Sequence, residues 1–102
     1  MTVRGNTAGL GGGIAVEDEG TIGGTVTLND STVTGNTAFG LGGGIFIAGG
    51  SPPFPAPVVT LNDSTVTGNT AGALGGGILN DGTLIQNGTS SVTGNTPDDI
   101  SS

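Results

Sequence analysis

The sequence predicts an all-β chain wound as a β-helix (β-solenoid), in which one unit is repeated and stacked coil upon coil. Three observations carry this. Residues Thr25 to Ile45 and Val58 to Ile78 carry one string twice, TVTLNDSTVTGNTAFGLGGGI and VVTLNDSTVTGNTAGALGGGI, at a constant offset of 33 with three mismatches. The Gly-Asn-Thr signature recurs at Gly5, Gly35, Gly68 and Gly94, with spacings of 30, 33 and 26 that fall in the range of stacked repeats. Val, Ile and Thr dominate the repeats while Lys, Arg, Glu and Ala are sparse, a balance that favours strand over helix.

The first copy opens at Thr2-Val3-Arg4-Gly5-Asn6-Thr7-Ala8 and runs into Leu10-Gly11-Gly12-Gly13-Ile14, without the Leu-Asn-Asp-Ser strand that precedes the later copies. Repeat signatures therefore begin near residues 2, 32, 65 and 91, giving three full coils and a partial fourth of about 26–33 residues each in one domain, 1–102. Within a copy, Thr25-Val26-Thr27-Leu28 and Thr32-Val33-Thr34 alternate apolar and hydroxyl side chains between two faces. Leu41, Gly43, Ile45 and Ile47 alternate likewise, matched by Leu10, Gly12, Ile14 and Val16 and by Leu74, Gly76 and Ile78, so each coil is expected to hold three strands. Turns fall at Asn29-Asp30-Ser31, Asn62-Asp63-Ser64, Gly35-Asn36 and Gly68-Asn69, residue types that supply turn conformations. The looser third connection varies. It is acidic at Glu17-Asp18-Glu19, proline-rich over Ser51 to Pro57 and short at Asn80-Asp81-Gly82, so the inserts 15–24 and 48–57 are expected on one side of the solenoid.

Composition narrows the function. The chain has 102 residues, no Cys, His, Trp, Tyr or Lys, and a formal charge of −7 with Arg4 as its only basic side chain. Phosphate neutralisation needs several cations, so nucleic-acid binding is excluded. Without Cys there is neither a disulfide framework nor a thiolate metal site. No apolar run is long enough to insert into a membrane, and no basic-then-apolar leader is visible in the chain as given.

The string Leu-Asn-Asp-Ser-Thr-Val-Thr-Gly-Asn-Thr-Ala followed by Gly-Gly-Gly-Ile resembles the repeat of bacterial right-handed parallel β-helix proteins, including adhesin-like and polymorphic outer-membrane-type surface proteins. The resemblance covers nearly the whole chain and implies a right-handed parallel β-helix at the cell surface or outside the cell. The stretch Gly94-Asn95-Thr96-Pro97-Asp98-Asp99 is similar to the close of such arrays, where Pro stands for the usual Ala.

Catalytic members of this architecture use a basic residue with carboxylate-bound Ca²⁺, or converging aspartates as acid and base. This chain departs from both. Arg4 lies in the first copy, and the adjacent acids Glu17-Asp18-Glu19 and Asp98-Asp99 sit in an insert and a tail, so no catalytic residue, cofactor or metal site is assigned. The glycine clusters 11–13, 42–44 and 75–77 lack the Lys-Ser/Thr of a phosphate loop and the Asp of a calcium-binding nonapeptide. They are expected where stacked coils leave no room for a side chain.

Asn6, Asn36, Asn69 and Asn95 share one phase, so stacking is expected to place them in a hydrogen-bonded ladder about 4.8 Å apart. Asp30 and Asp63 form a shorter acidic column that Ca²⁺ could bridge, although solvated turn acids are the simpler expectation. Asn29, Asn62 and Asn87 open Asn-x-Ser/Thr tripeptides, which carry little meaning in a bacterial protein. Thr32, Thr34, Thr65 and Thr67 would stack into two files of outward hydroxyls, similar to the Thr-x-Thr arrays of ice-binding solenoids, which makes ice binding a lesser expectation. Pro52, Pro53, Phe54 and Pro55 are too proline-rich to join a ladder and form a candidate contact loop.

Two functional expectations follow. The coils stack end to end with other copies into a head-to-tail homopolymer, a non-catalytic extracellular or cell-surface filament. Alternatively, the chain is the terminal segment of a longer adhesin-like stalk that binds a host or cell-surface ligand through its inserts. Unpaired parallel edges template further pairing unless Pro or charge blocks them, and Pro97, Asp98 and Asp99 are placed to block one end.

Overall fold

The computed structural model describes residues 1–16, 24–49 and 56–102. Every β-pairing is parallel, and each strand pairs with its counterpart in the neighbouring copy, the pattern of a parallel β-helix. Sheet 1 stacks β1 (Thr2–Arg4), β5 (Thr32–Thr34), β9 (Thr65–Thr67) and β13 (Ser91–Thr93). Sheet 2 stacks β2 (Thr7–Leu10), β6 (Thr37–Leu41) and β10 (Thr70–Ala71). Sheet 3 stacks β3 (Ile14–Val16), β7 (Ile45–Ile47), β11 (Ile78–Asn80) and β14 (Ile100–Ser101), and sheet 4 stacks β4 (Thr25–Asn29), β8 (Val58–Asn62) and β12 (Thr83–Asn87).

The second coil therefore holds four strands, β4 to β7, where the sequence pattern predicts three. The extra strand arises because Leu41 to Ile47 is not one element. Gly42 takes φ +68 and bends the chain. Beyond it, Gly42 N donates to Leu74 O (3.1 Å), Gly43 N to Gly75 O (2.9 Å) and Gly44 N to Gly76 O (3.0 Å). Successive N–H groups in a strand point to opposite neighbours, whereas these all point to the same one, so the segment is a corner. The alternation of Leu41 with Gly43, Ile45 and Ile47 spans that corner and fails at its first member. Leu10 and Leu74 turn outward, 44 % and 46 % exposed, while Ile45, Ile47, Ile78 and Val16, beyond the corner, enter the core.

The core is a set of columns. Val33 and Val66 lie between Val3 and Val92, Ile45 and Ile78 between Ile14 and Ile100, and Val59 and Leu61 on Val26 and Leu28. Val33, Ile45, Ile47, Val59, Leu61, Val66 and Ile78 are completely buried. Like stacks on like because the copies are nearly identical in sequence and in register. Small residues complete the fit at the corner: a Cβ on Gly44 would lie 2.7 Å from Gly77 O and 2.9 Å from Asn69 Nδ2. That corner closes only with glycine.

Candidate functional site

The polar side chains of the turns form three ladders along the solenoid axis. In the first, Asn6, Asn36, Asn69 and Asn95 follow sheet 1 at the Gly-Asn turn, which each copy makes with a left-handed glycine, φ +65 at Gly35 and +68 at Gly68. The backbone N and Nδ2 of Asn36 both donate to Asn69 Oδ1 at 3.0 Å, and those of Asn69 donate to Asn95 Oδ1 at 3.0 and 2.9 Å. Asn6 donates in the same way to Asn36 Oδ1. The remaining proton of each amide is used as well: Asn36 Nδ2 reaches Val3 O and Asn69 Nδ2 reaches Val33 O, both at 3.0 Å. Asn36 and Asn69 are buried, and their polar atoms are satisfied by this network, which is the condition for burying an amide at low cost.

A second ladder lies beneath the Asn-Asp-Ser turns. Ser31 N donates to Ser64 Oγ at 3.0 Å and Ser64 N to Ser90 Oγ at 3.2 Å, while Ser64 Oγ donates to carbonyl oxygens of Leu28 and Asn62. Beside it, half-buried Asn62 donates through Nδ2 to Asn29 Oδ1, and Asn87 Nδ2 donates to Asn62 Oδ1, both at 2.9 Å. Sequence reasoning missed both ladders. The signal was the one that revealed the first, a polar residue recurring at a fixed phase. It is weaker here because Thr89 is inserted between Gly88 and Ser90 and shifts the third serine.

Thr89 also determines the state of Asp63. Its backbone N and its hydroxyl donate to Asp63 Oδ1 at 2.8 and 3.0 Å, and these bonds, the backbone one first, hold the carboxyl below its ordinary value of 3.8. Asp30 and Asp63 both adopt positive φ, 46 and 50, at the turn where the next copy uses Gly88. Among the described residues no three His, Cys, Asp or Glu side chains converge as metal ligands would.

The other sequence-predicted residues fall as follows. Sheet 1 aligns Thr2, Thr32, Thr65 and Ser91 in one file and Arg4, Thr34, Thr67 and Thr93 in the other. Pro52, Pro53, Phe54 and Pro55 lie outside the described residues, as do Glu17, Asp18 and Glu19. The described flanks of both inserts lie at the passage from sheet 3 to sheet 4, after Val16 and Ile47, where the third coil has only Asp81-Gly82. Leu10 on β2, Phe39 on β6 and Leu74 after β10 are exposed apolar side chains.

The two ends of the stack differ. At the glycine corner each coil's N–H groups point toward the next coil, and in the third coil Asp98 and Asp99 receive them. Asp98 Oδ1 accepts from Gly75 N (2.7 Å) and Gly76 N (3.1 Å), Asp98 O from Gly77 N (3.2 Å), and Asp99 O from Ile78 N (2.9 Å). The Asn ladder closes on the same segment. Asp99 Oδ1 accepts from Asn95 N at 3.0 Å and from Asn95 Nδ2 at 3.1 Å, the role that the next asparagine fills elsewhere. At the opposite end, the edge formed by β1, β2 and β3, the sense is reversed. Leu41, Gly42, Gly43 and Gly44 present their carbonyl oxygens to the first coil, so the equivalent carbonyls of Leu10 to Gly13 look outward together with Asn6 Oδ1.

These features define a parallel β-solenoid repeat protein whose interior is set by side-chain ladders. Residues 63–81, from the Asp63 turn through β9, β10 and the glycine corner to Asp81, match the Chlamydia polymorphic membrane protein (Chlamydia_PMP) repeat. With the stacked parallel strands, this match fits the repeat family that the sequence resembles. The matched repeat suggests an adhesin-like protein of the outer membrane or cell surface. No curated protein and no solved structure matches the chain. Among the described residues no helix is long and apolar enough to cross a membrane.

Proposed function

We propose that the chain is a non-catalytic structural segment of a cell-surface β-solenoid, closed at the Asp98–Asp99 face and stacked through the β1–β2–β3 face on a further coil of the same repeat. The observation that carries this reading is the difference between the two faces. One has its corner donors and its ladder amide already occupied by carboxylates and carbonyls, while the other presents acceptors in the phase that a preceding coil would satisfy. Parallel edges left open in this way add strands readily, and a nearly identical coil fits by sequence and register. The described flanks of both inserts lie at the passage from sheet 3 to sheet 4, which favours a surface ligand bound on that side of the stalk.

The test is to extend the stack. A copy of residues 32–64 placed ahead of Thr2 continues the repeat phase without a break. If the β1–β2–β3 face accepts a coil, the extended chain melts at higher temperature in one cooperative transition. A separate low-temperature transition, or rapid proteolysis of the added coil alone, would contradict the reading. An adhesive role is tested separately, by a saturable partner whose binding is lost on deleting residues 51–57 while the circular dichroism spectrum persists.

A head-to-tail filament of whole chains is the second reading, favoured by the in-register pairing of near-identical copies. It predicts fibres in electron microscopy of the native chain, with a meridional repeat of about 4.8 Å; monodisperse particles at high concentration would remove it.

A further inference from the structure

We propose that Asn87-Gly88 is a self-modification site, at which the backbone nitrogen of Gly88 cyclises onto the side chain of Asn87 and converts its amide to a carboxylate.

The chain makes related turns after β4, β8 and β12, with the sequences Asn29-Asp30-Ser31, Asn62-Asp63-Ser64 and Asn87-Gly88-Thr89-Ser90. Three conditions for cyclisation meet only in the last of these turns. The first is the residue after the asparagine. Gly88, at φ +66, has no side chain to obstruct approach to its own nitrogen, and it can leave that conformation at little cost. The second is a free nucleophile. Asp30 N donates to Asn62 O at 2.9 Å and Asp63 N to Asn87 O at 3.2 Å, whereas Gly88 N meets no acceptor among the described residues. A hydrogen bond along the stack fixes the peptide plane and keeps its nitrogen off the preceding side chain, so Asp30 N and Asp63 N are held back where Gly88 N is not. The third is a loosely held amide. Asn87 is exposed and joins the outer amide ladder through one bond, Nδ2 to Asn62 Oδ1 at 2.9 Å. Asn62 is half-buried and bonded on both sides, to Asn29 and to Asn87.

The reaction needs only water and hydroxide. Gly88 N gives its proton to hydroxide and attacks Asn87 Cγ, which the chain holds close by, so the step is intramolecular. The N–Cγ bond forms, the Cγ–Nδ2 bond breaks, and Nδ2 takes a proton from water and leaves as ammonia. Water then opens the cyclic imide at one of its two carbonyls. Opening at the main-chain carbonyl leaves an isoaspartyl linkage, in which the chain passes through the former side chain; opening at the other leaves an aspartate at position 87. Nothing is oxidised or reduced.

Either product alters the ladders. An ionised carboxylate has no N–H to donate to Asn62 Oδ1, so the outer amide ladder loses its last bond. The isoaspartyl product also lengthens the backbone ahead of Ser90, whose Oγ accepts from Ser64 N at 3.2 Å and donates to Leu61 O at 3.0 Å. One modification thus reaches both polar ladders of this edge.

The experiment incubates the folded native chain at mildly alkaline pH, with circular dichroism following the fold, and scores every asparagine by peptide mapping with mass spectrometry and isoaspartyl detection. Conversion is expected at Asn87, faster as pH rises, while Asn29 and Asn62 stay intact. Asn87→Gln is expected to abolish it, because the longer side chain closes its ring far more slowly. Asp30→Gly and Asp63→Gly separate the structure's contribution from the dipeptide's. Each creates a second Asn-Gly step at a positive φ that glycine accepts, with its N–H bonded in the stack. Asn29 is exposed like Asn87, so the first variant isolates the effect of that N–H bond. In the folded variants Asn29 and Asn62 are expected to convert several-fold more slowly than Asn87, and in denaturant at comparable rates. An intact Asn87 in the folded native chain, whether or not the denatured chain converts, would overturn the proposal. Equal conversion of Asn29 and Asn87 in the folded Asp30→Gly chain would overturn the role given to the free N–H; if that variant does not fold, Asn62 in Asp63→Gly gives the same comparison.

Discussion

Asn69 illustrates what one residue does in this molecule. Its backbone N, Nδ2 and Oδ1 bind Asn95, Val33, Thr67 and Asn36, so it closes one coil and joins the two beside it. Asn69→Ala takes the Oδ1 acceptor from the backbone N and Nδ2 of Asn36 in a buried site, while the backbone N at position 69 still reaches Asn95 Oδ1, and the loss is expected to be about 2–4 kcal/mol in chemical denaturation, since each orphaned group costs about 1–3 kcal/mol. Asn62→Ala removes a half-buried member of the outer amide ladder, and a loss of about 0.5–1.5 kcal/mol, smaller than that of Asn69→Ala, is expected from the same measurement. Gly44→Ala drives a methyl into Gly77 O and Asn69 Nδ2, and overpacking of this kind costs about 1–3 kcal/mol. Asp63 gives a pH signature. Its carboxyl is held low in the folded chain by Thr89, so the stabilisation is complete above the ordinary carboxylate value and is lost as pH falls through the lower, folded one. An NMR titration is expected to place the Asp63 midpoint below 3.8, and Thr89→Ala to raise it only part of the way, because the backbone N–H remains.

At the scale of the element, the copies obey one rule: an inward apolar residue meets another apolar residue in at least one neighbouring coil. Leu61 is fully buried between Leu28 and Gln86, whereas Leu74 lies at the glycine corner and faces out. Leu61→Ala is expected to cost about 2–5 kcal/mol in a denaturation series and Leu74→Ala much less, although the two leucines look alike in the repeat. That contrast also marks how far the sequence was legible. Strands with clean alternation, such as Thr25 to Asn29 and Thr32 to Thr34, lie where the pattern places them, because period-two patterning follows directly from the pleat. The glycine corner was not legible, because Leu41, Gly43, Ile45 and Ile47 keep strand periodicity through a bend, and glycine hides the change of direction from any count of apolar positions. The Asn ladder could be placed from its phase alone. The serine ladder could not, because an inserted threonine breaks the spacing that would have revealed it. The carboxylate bonds of Asp98 and Asp99 needed coordinates, since only the folded corner brings a tail into contact with Gly75 and Gly76.

For the whole molecule, a stack of near-identical coils has no intrinsic length, so its ends decide what it does. The account of this chain is that one face continues the hydrogen-bond pattern and the other consumes it at Asp98 and Asp99. Native-state hydrogen exchange tests this most directly, because it reads the capped donors one by one. The account predicts that the amides of Gly75, Gly76 and Asn95 exchange as slowly as those of Gly42, Gly43 and Asn69 in the native chain, and that Asp98→Ala releases Gly75 and Gly76 while Gly42 and Gly43 stay protected. Fast exchange at Gly75, Gly76 and Asn95 in the native chain would contradict it.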